Sequence, residues 1–188
     1  MFFYTADEHY NHANIIKFCN RPFSNVREMN ETLIKNHNEV VGESDIVVHV
    51  GDFSMGSRGW TMERVFKQLK GTHIFIRGSH DRWLGKSPKS EGNFQFVGYI
   101  YEKTFKDEGI LIVACHYAMR TWRRSHWNSW HVYGHSHSRL PSIGKSMDVG
   151  VDTNNYYPYS LDQIKEIMVN KPDNPNFISK SKKKSDER

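Results

Sequence analysis

The chain has 188 residues, 37% hydrophobic and 25% charged, which suits one soluble globular domain with a full core and leaves little room for a second. No apolar run approaches the roughly 20 residues of a membrane helix, and two isolated cysteines, Cys19 and Cys115, exclude a disulfide framework and favour a cytoplasmic, reducing setting. The formal charge of +5 is concentrated in residues 179–188, where Lys180, Lys182, Lys183, Lys184 and Arg188 face Asp186 and Glu187, leaving only +2 on the rest; residues 171–188 are expected to form a basic, disordered tail after a domain at 1–170.

Residues 2–6 read as a first strand, and they reach Asp7 too soon for a signal peptide. Met29, Leu33, Val40 and Val41 suggest a helix. Residues 46–50 form an apolar strand that runs into Gly51-Asp52. Met62, Val65, Phe66 and Leu69 lie at i, i+3, i+4, i+7 and predict a helix with one buried face. A strand at 73–76 leads to Gly78. Residues 98–105 and 110–114 flank Lys106-Asp107-Glu108-Gly109 and predict a hairpin whose second strand delivers His116. Residues 131–133 form a strand before Gly134, and Ser160-Leu161-Asp162-Gln163 is a capping box that opens a short helix. Strands alternating with helices, plus one hairpin, indicate an α/β fold with a mixed sheet.

Several of these strands stop at residues that bind metals. Asp7-Glu8-His9, Gly51-Asp52, Gly78-Ser79-His80-Asp81, His116 and Gly134-His135-Ser136-His137 together approach the inventory two adjacent divalent cations need, with one carboxylate shared. In extended chain, residues i and i+2 face one side, so Asp7 and His9 can meet one ion together while Glu8 turns away, and His135 and His137 can do the same. The glycines would let the backbone approach the site closely. Asp52, alone at its strand end, is the natural bridge. Any one segment is weak evidence; five in order, each after a predicted strand, are not.

These residues resemble the calcineurin-like metallophosphoesterases, whose series is Asp-x-His, Gly-Asp, Gly-Asn-His-Asp/Glu, a lone His and Gly-His-x-His. The match runs from Asp7 to His137. The segment from His12-Ala13-Asn14-Ile15-Ile16 to Arg21-Pro22-Phe23 is similar to a small bacterial or phage branch of that family. The resemblance implies a four-layer α/β/β/α sandwich of two mixed sheets, and it makes residues 1–170 the metallophosphoesterase domain. It implies that Asp7, His9 and His137 hold one ion, His116 and His135 a second, and that Asp52 bridges them. It further implies a hydroxide shared by the metals as nucleophile, His80 as the leaving-group acid and Asp81 as the group that orients its imidazole. The ligand mixture favours Mn, Fe, Zn or Ni, Mn foremost. Ser79 departs from the pattern: where the family has Asn, a shorter hydroxyl would ligate the second ion weakly, and full activity is in doubt.

His12 is expected in a loop or supporting role, and His49 as a core histidine; His37 and His73 have no evident partner. Arg120, Trp122, Arg123, Arg124, His126, Trp127 and Trp130 interleave cations with aromatic rings, which suits a phosphate and a stacked base, so Arg120, Arg123 and Arg124 are candidate substrate residues. The alternative is a loop whose tryptophans pack on the sheet and whose arginines stay solvated. The function expected is hydrolysis of a phosphoester, with a diester, nucleotide or nucleic-acid substrate slightly preferred and no membrane partner. A non-catalytic scaffold is the main rival, disfavoured by the retained His80. A structural zinc protein is disfavoured by the scarcity of cysteine.

Overall fold

A computed structural model describes residues 1–179. The basic stretch 180–188, to which most of the expected tail's charge belongs, lies outside the described residues.

Ten strands form two mixed sheets. The larger has the order β10 (Tyr159–Ser160), β1 (Phe2–Thr5), β2 (Ile46–His49), β3 (Thr72–Ile76), β5 (Phe94–Gly98), β4 (Lys89–Glu91). Its four central strands are parallel and its two edges antiparallel. The smaller has the order β6 (Ile100–Phe105), β7 (Ile110–Cys115), β8 (Trp130–Tyr133), β9 (Ser146–Asp148). There β6 and β7 are the expected hairpin, turned at Gly109 in the left-handed conformation, and β7, β8 and β9 run parallel.

The inner faces meet in one core. Tyr4, Val48 and Ile74 of the larger sheet pack with Ile112, Ala114, Val132 and Met147 of the smaller, as the period-2 alternation of strands requires. Helix α4 (Leu161–Val169) contributes Ile164 and Met168 to this core, and its capping box forms as expected, with Ser160 and Gln163 each accepting the other's amide hydrogen. Helices α1 (Ala13–Phe18), α2 (Val26–Val40) and α3 (Arg58–Arg64), with the segment that follows α3, cover the outer face of the larger sheet: Ile15 of α1, Met29 and Leu33 of α2, and Phe66 and Leu69 after α3 pack with Phe75, Phe94 and Phe96. The smaller sheet's outer face is covered more thinly, by Trp122 and Met119 over Leu111 and Val113 and by the helical turn Ser125–Trp127. The result is the expected four-layer α/β/β/α sandwich.

Three elements differ from expectation. The helix through Met62–Leu69 is not continuous: α3 ends at Arg64 and a 3₁₀ turn covers Phe66–Gln68. Residues three apart align in a 3₁₀ turn as well as in an α-helix, so the same spacing permits both. Gly98 ends β5 in the larger sheet and does not begin the hairpin, so the chain changes sheets at Tyr99. Residues 171–179 lie along the 125–129 turn: the Asn174 amide group donates to the carbonyls of Ser125 and Ser129 at 2.9 and 3.0 Å, and the Ile178 amide to His126 at 2.9 Å. Among the described residues no helix is long and apolar enough to cross a membrane.

Candidate metal centre

Parallel strands all present their C-terminal ends to one side, and in α/β sheets that side carries the site. Here β1, β2, β3, β7 and β8 end at Thr5, His49, Ile76, Cys115 and Tyr133, one to three residues before Asp7, Asp52, Ser79, His116 and His135. A bridge between Ala6 and Gly150 ties the larger sheet to the chain leaving β9, and the Val151 amide donates to the Ala6 carbonyl at 2.9 Å. The two sheets are thus laced together beneath the site.

Two groups of ligating atoms result, each within 4.8 Å of one another: Asp7, His9 and His137, and Asp52, His116 and His135. A third group, His9, Asp52 and His80, joins them through the Asp52 carboxylate. Asp52 Oδ2 lies 3.4 Å from His116 Nε2, 3.8 Å from His9 Nε2 and 3.9 Å from His80 Nε2. Its other oxygen, Oδ1, accepts the His80 amide at 2.8 Å. One oxygen is therefore anchored while the other faces three imidazoles.

The ring tautomers follow from the partners. His116 Nδ1 lies 3.0 Å from the Val50 carbonyl, which only accepts, so Nδ1 carries the proton and Nε2 the lone pair. His137 Nδ1 is held 2.7 Å from Asp152 Oδ2. His9 Nδ1 meets His12 Nδ1 at 3.2 Å, so His12 lies against a candidate ligand. Asp7 Oδ2 accepts the His135 amide at 2.8 Å. What remains is telling: Asp7 Oδ1, His9 Nε2 and His116 Nε2 are buried without a protein partner. Orphaned buried polar atoms are rare and destabilising. Two of these atoms, His9 Nε2 and His116 Nε2, face Asp52 Oδ2, and Asp7 belongs to the same ligand group as His9, so all three fit a cation that none of the protein's own donors replaces.

Electrostatics agree. Burial, followed by the Asp148 and Asp52 carboxylates, raises Asp7 well above the usual carboxylate range. Burial also raises Asp52, but contact with His116 outweighs it and the net direction is down; His116 correspondingly rises despite its own burial. Burial lowers His9 far below the ordinary imidazole value.

The extended-chain argument for Asp7/His9 and His135/His137 does not describe this backbone. Asp7, His9, Asp52, His135 and His137 all have positive φ, between 46° and 67°. Left-handed backbone is unusual outside glycine and asparagine, and its concentration at functional sites reflects geometry imposed by the surrounding fold. The close approach expected of the glycines is real: a Cβ on Gly78 would fall 2.2 Å from Asp52 Oδ1, and one on Gly134 would fall 2.8 Å from Asp7 Oδ2.

Ser79 reaches the site but points at the bridge, its Oγ 3.0 Å from Asp52 Oδ2 and 3.2 Å from Oδ1. His80 is partly exposed above Asp52. Asp81 does not orient that ring. Its buried carboxylate accepts the amides of Asp52, Phe53, Ser54 and Gly78 and the Trp83 indole N–H, at 2.7 to 3.3 Å, and so shapes the Asp52 turn. The arginine-rich segment is also displaced from the centre. Arg123 pairs with Glu102, Arg124 lies over the Trp127 ring, and Arg120 lines a cleft of about 280 Å³ with Thr121, Ile143, Pro175 and Asn176. Trp122 is buried on the smaller sheet, its indole donating to the Ser129 carbonyl at 3.0 Å. The segment returns from the His116 end of β7 to the start of β8 across the sheet's outer face, so it packs instead of lining the centre.

Two residues not anticipated from the sequence as site residues complete the arrangement, Asp152 and Arg21, whose side chains pair at 2.8 Å. Their signal is long-range, 131 residues apart, and no local pattern marks it.

The centre is consistent with the metallophosphoesterase superfamily in general. No family model matches the chain. Its fold is similar to the crystal structure of AQ665, a protein of unknown function from Aquifex aeolicus, with a TM-score of 0.64 and 20% identity over 89% of this chain and 98% of that one. It is 37% identical over 171 residues to the uncharacterized protein MJ1445 of Methanocaldococcus jannaschii, covering 87% of this chain and 88% of that protein. At that identity and coverage, the chain belongs to the family of MJ1445.

Proposed function

We propose that the chain is a metal-dependent phosphoester hydrolase that takes two divalent transition ions, Mn first among Mn, Fe, Zn and Ni, with a phosphodiester as the preferred substrate class. The observation that carries this reading is that the unpartnered Asp7 Oδ1, His9 Nε2 and His116 Nε2 belong to two adjoining ligand groups linked through His9 and Asp52. Asp7, His9 and His137 would hold one ion and His116 and His135 the other, with Asp52 shared. Mixed imidazole and carboxylate donors suit transition ions better than calcium. Such a pair polarises a phosphoryl oxygen and acidifies a water.

The chain's own residues do the rest. Asp52 is kept ionised and turned inward by the His80 amide on one oxygen. Bare Nε2 atoms are secured on His116 by the Val50 carbonyl and on His137 by Asp152. His80, anchored by its main chain and half open to solvent, is placed to give a proton to a departing oxygen. The centre opens to solvent on the side of His80 and His135, where a phosphoester could approach. Both cysteines are free thiols, which suits a reducing cytoplasm.

The test is metal analysis of the purified protein together with hydrolysis of generic phosphate mono- and diesters across added ions. The reading expects activity that a chelator removes and Mn restores. Full hydrolysis in verified metal-free protein would sink it.

A further inference from the structure

The Arg21 guanidinium is fully buried, and each of its five N–H groups has a partner. Nε and one Nη2 hydrogen grip Asp152 at 2.8 Å each. The other Nη2 hydrogen goes to the Asp7 carbonyl at 2.7 Å, and Nη1 reaches the Glu8 carbonyl at 3.1 Å and the Met29 sulfur at 3.5 Å. Asp152 Oδ2, held by this fork, also faces His137 Nδ1 at 2.7 Å. One planar cation therefore joins the two loops that carry Asp7, His9 and His137, the whole protein share of one ion site apart from Asp52.

We propose that Arg21 and Asp152 are positioning residues for that ion. Resting on the metal-centre reading above, the proposal adds that the two sites are built unequally. Asp152 keeps the His137 proton on Nδ1 and so turns the Nε2 lone pair to the ion; carboxylate-to-imidazole support of this kind is worth 10–100-fold in metal affinity. Arg21 holds the left-handed Asp7 backbone by its carbonyl, which sets the direction of the Asp7 carboxylate. Lysine cannot take this place, because a single ammonium cannot meet Asp152 bidentately and two carbonyls at once. The second group, Asp52, His116 and His135, touches neither residue; His116 is fixed instead by Val50.

The test is calorimetric titration of metal-free protein with Mn, run on the parent, Asp152→Ala, Asp152→Asn and Arg21→Lys, with thermal melting of each metal-free variant alongside. Expected is a parent with two resolved affinities. In Asp152→Ala one of them should weaken about 10–100-fold while the other stays within twofold. Asp152→Asn, which keeps an oxygen acceptor for Nδ1–H, should recover part of the loss, and Arg21→Lys should resemble Asp152→Ala. Spectra of bound Mn give a second readout: the magnetically coupled pair of the parent should give way to an isolated ion in the variants at limiting metal. A merely structural role predicts lower melting temperatures with unchanged affinities, or equal weakening of both sites, and either result overturns the proposal. A parent that binds no ion overturns the metal-centre reading itself, a distinct result from a parent that binds two ions as Asp152→Ala also does.

Discussion

Ser79 Oγ sits 3.0 Å from Asp52 Oδ2, the oxygen turned toward His116 and His9. A hydroxyl there donates to the Asp52 carboxylate and draws electron density from the oxygen that the proposed centre would share between its ions. On the metal-centre reading proposed above, the serine would weaken the centre in two ways: it is too short to ligate, and its hydroxyl engages the carboxylate the ions would share.

Ser79→Asn reverses both effects. The amide oxygen reaches further, and the donor on Asp52 is withdrawn, so the second ion should bind more tightly and the rate should rise most at limiting metal. The first ion should change little, because Asp7, His9 and His137 are untouched. Parallel metal titrations and rates on both proteins measure each clause. Equal second-site affinity and equal rates would show that Ser79 is not a weakened ligand.

Gly78→Ala tests how tightly the ligand loops are packed. The added Cβ would stand 2.2 Å from Asp52 Oδ1 and 2.3 Å from the Asp52 main-chain nitrogen. A main-chain atom cannot step aside as a flexible side chain can, so the two loops must separate. The expected stability loss is about 1–3 kcal/mol by overpacking, with a larger proportional fall in metal affinity. Denaturant midpoints and metal titration check both, and an unperturbed metal affinity would contradict the packing argument.

Much of this centre was legible because its ligands follow apolar strand runs, as Val47 and Val48 lead to Asp52 and Ile112 and Val113 to His116. Sequence pattern says less where the chain is short or polar. Lys89–Glu91 is a largely exposed edge of three residues, and Ser146–Asp148 is another three. Alternation also presumes extended backbone, so it places Asp7 and His9 on one side for a reason the left-handed turns do not supply. Asp81 looks like a partner of its neighbour His80, yet five N–H donors around Asp52 claim it first. Trp122 and Arg123 illustrate the opposite error, an aromatic-cationic segment whose ring serves packing.

Behind the centre, α2 and the larger sheet enclose four titratable groups, Glu8, His37, His49 and His73. Glu8 Oε1 meets His49 Nδ1 at 2.6 Å, and His49 Nε2 meets His73 Nδ1 at 3.0 Å. Burial lowers His37 from 6.5 to about 4 and His49 to about 3. In the unfolded chain these imidazoles take up protons near 6.5, while in the fold they stay neutral, so their contribution is full above 6.5 and lost as pH falls toward 4 and 3. Burial moves Glu8 the other way, to about 7 from 4.5. Its contribution is full below 4.5 and lost as pH rises through 7, which offsets part of the histidines' acid loss. In chelated protein, stability should therefore decline from pH 6.5 to 4. His37→Phe should flatten that decline by roughly 3 kcal/mol, at 1.36 kcal/mol per unit of pKa difference. Parallel slopes in urea titrations of parent and variant would show that His37 is not held neutral by the fold.

His80 is anchored by its main chain and only partly buried, with its ring 3.9 Å from Asp52 Oδ2, and unlike the exposed His135 it belongs to neither proposed ligand set. A ring so placed can meet a substrate oxygen without surrendering a metal ligand. His80→Ala should consequently fold normally and bind both ions with parental affinity, while the rate falls by about 10²–10⁴-fold. The size of the loss should depend on the ester. An alkoxide leaving group needs a proton as the bond to phosphorus breaks, so alkyl esters should show the whole effect. A nitrophenolate departs unprotonated, so its esters should show much less. Measuring kcat for both ester types in parent and variant separates the two roles open to this ring. A loss confined to poor leaving groups identifies proton donation; an equal loss for both, with a raised KM, would assign His80 to holding the phosphate and remove it from the proton-transfer step.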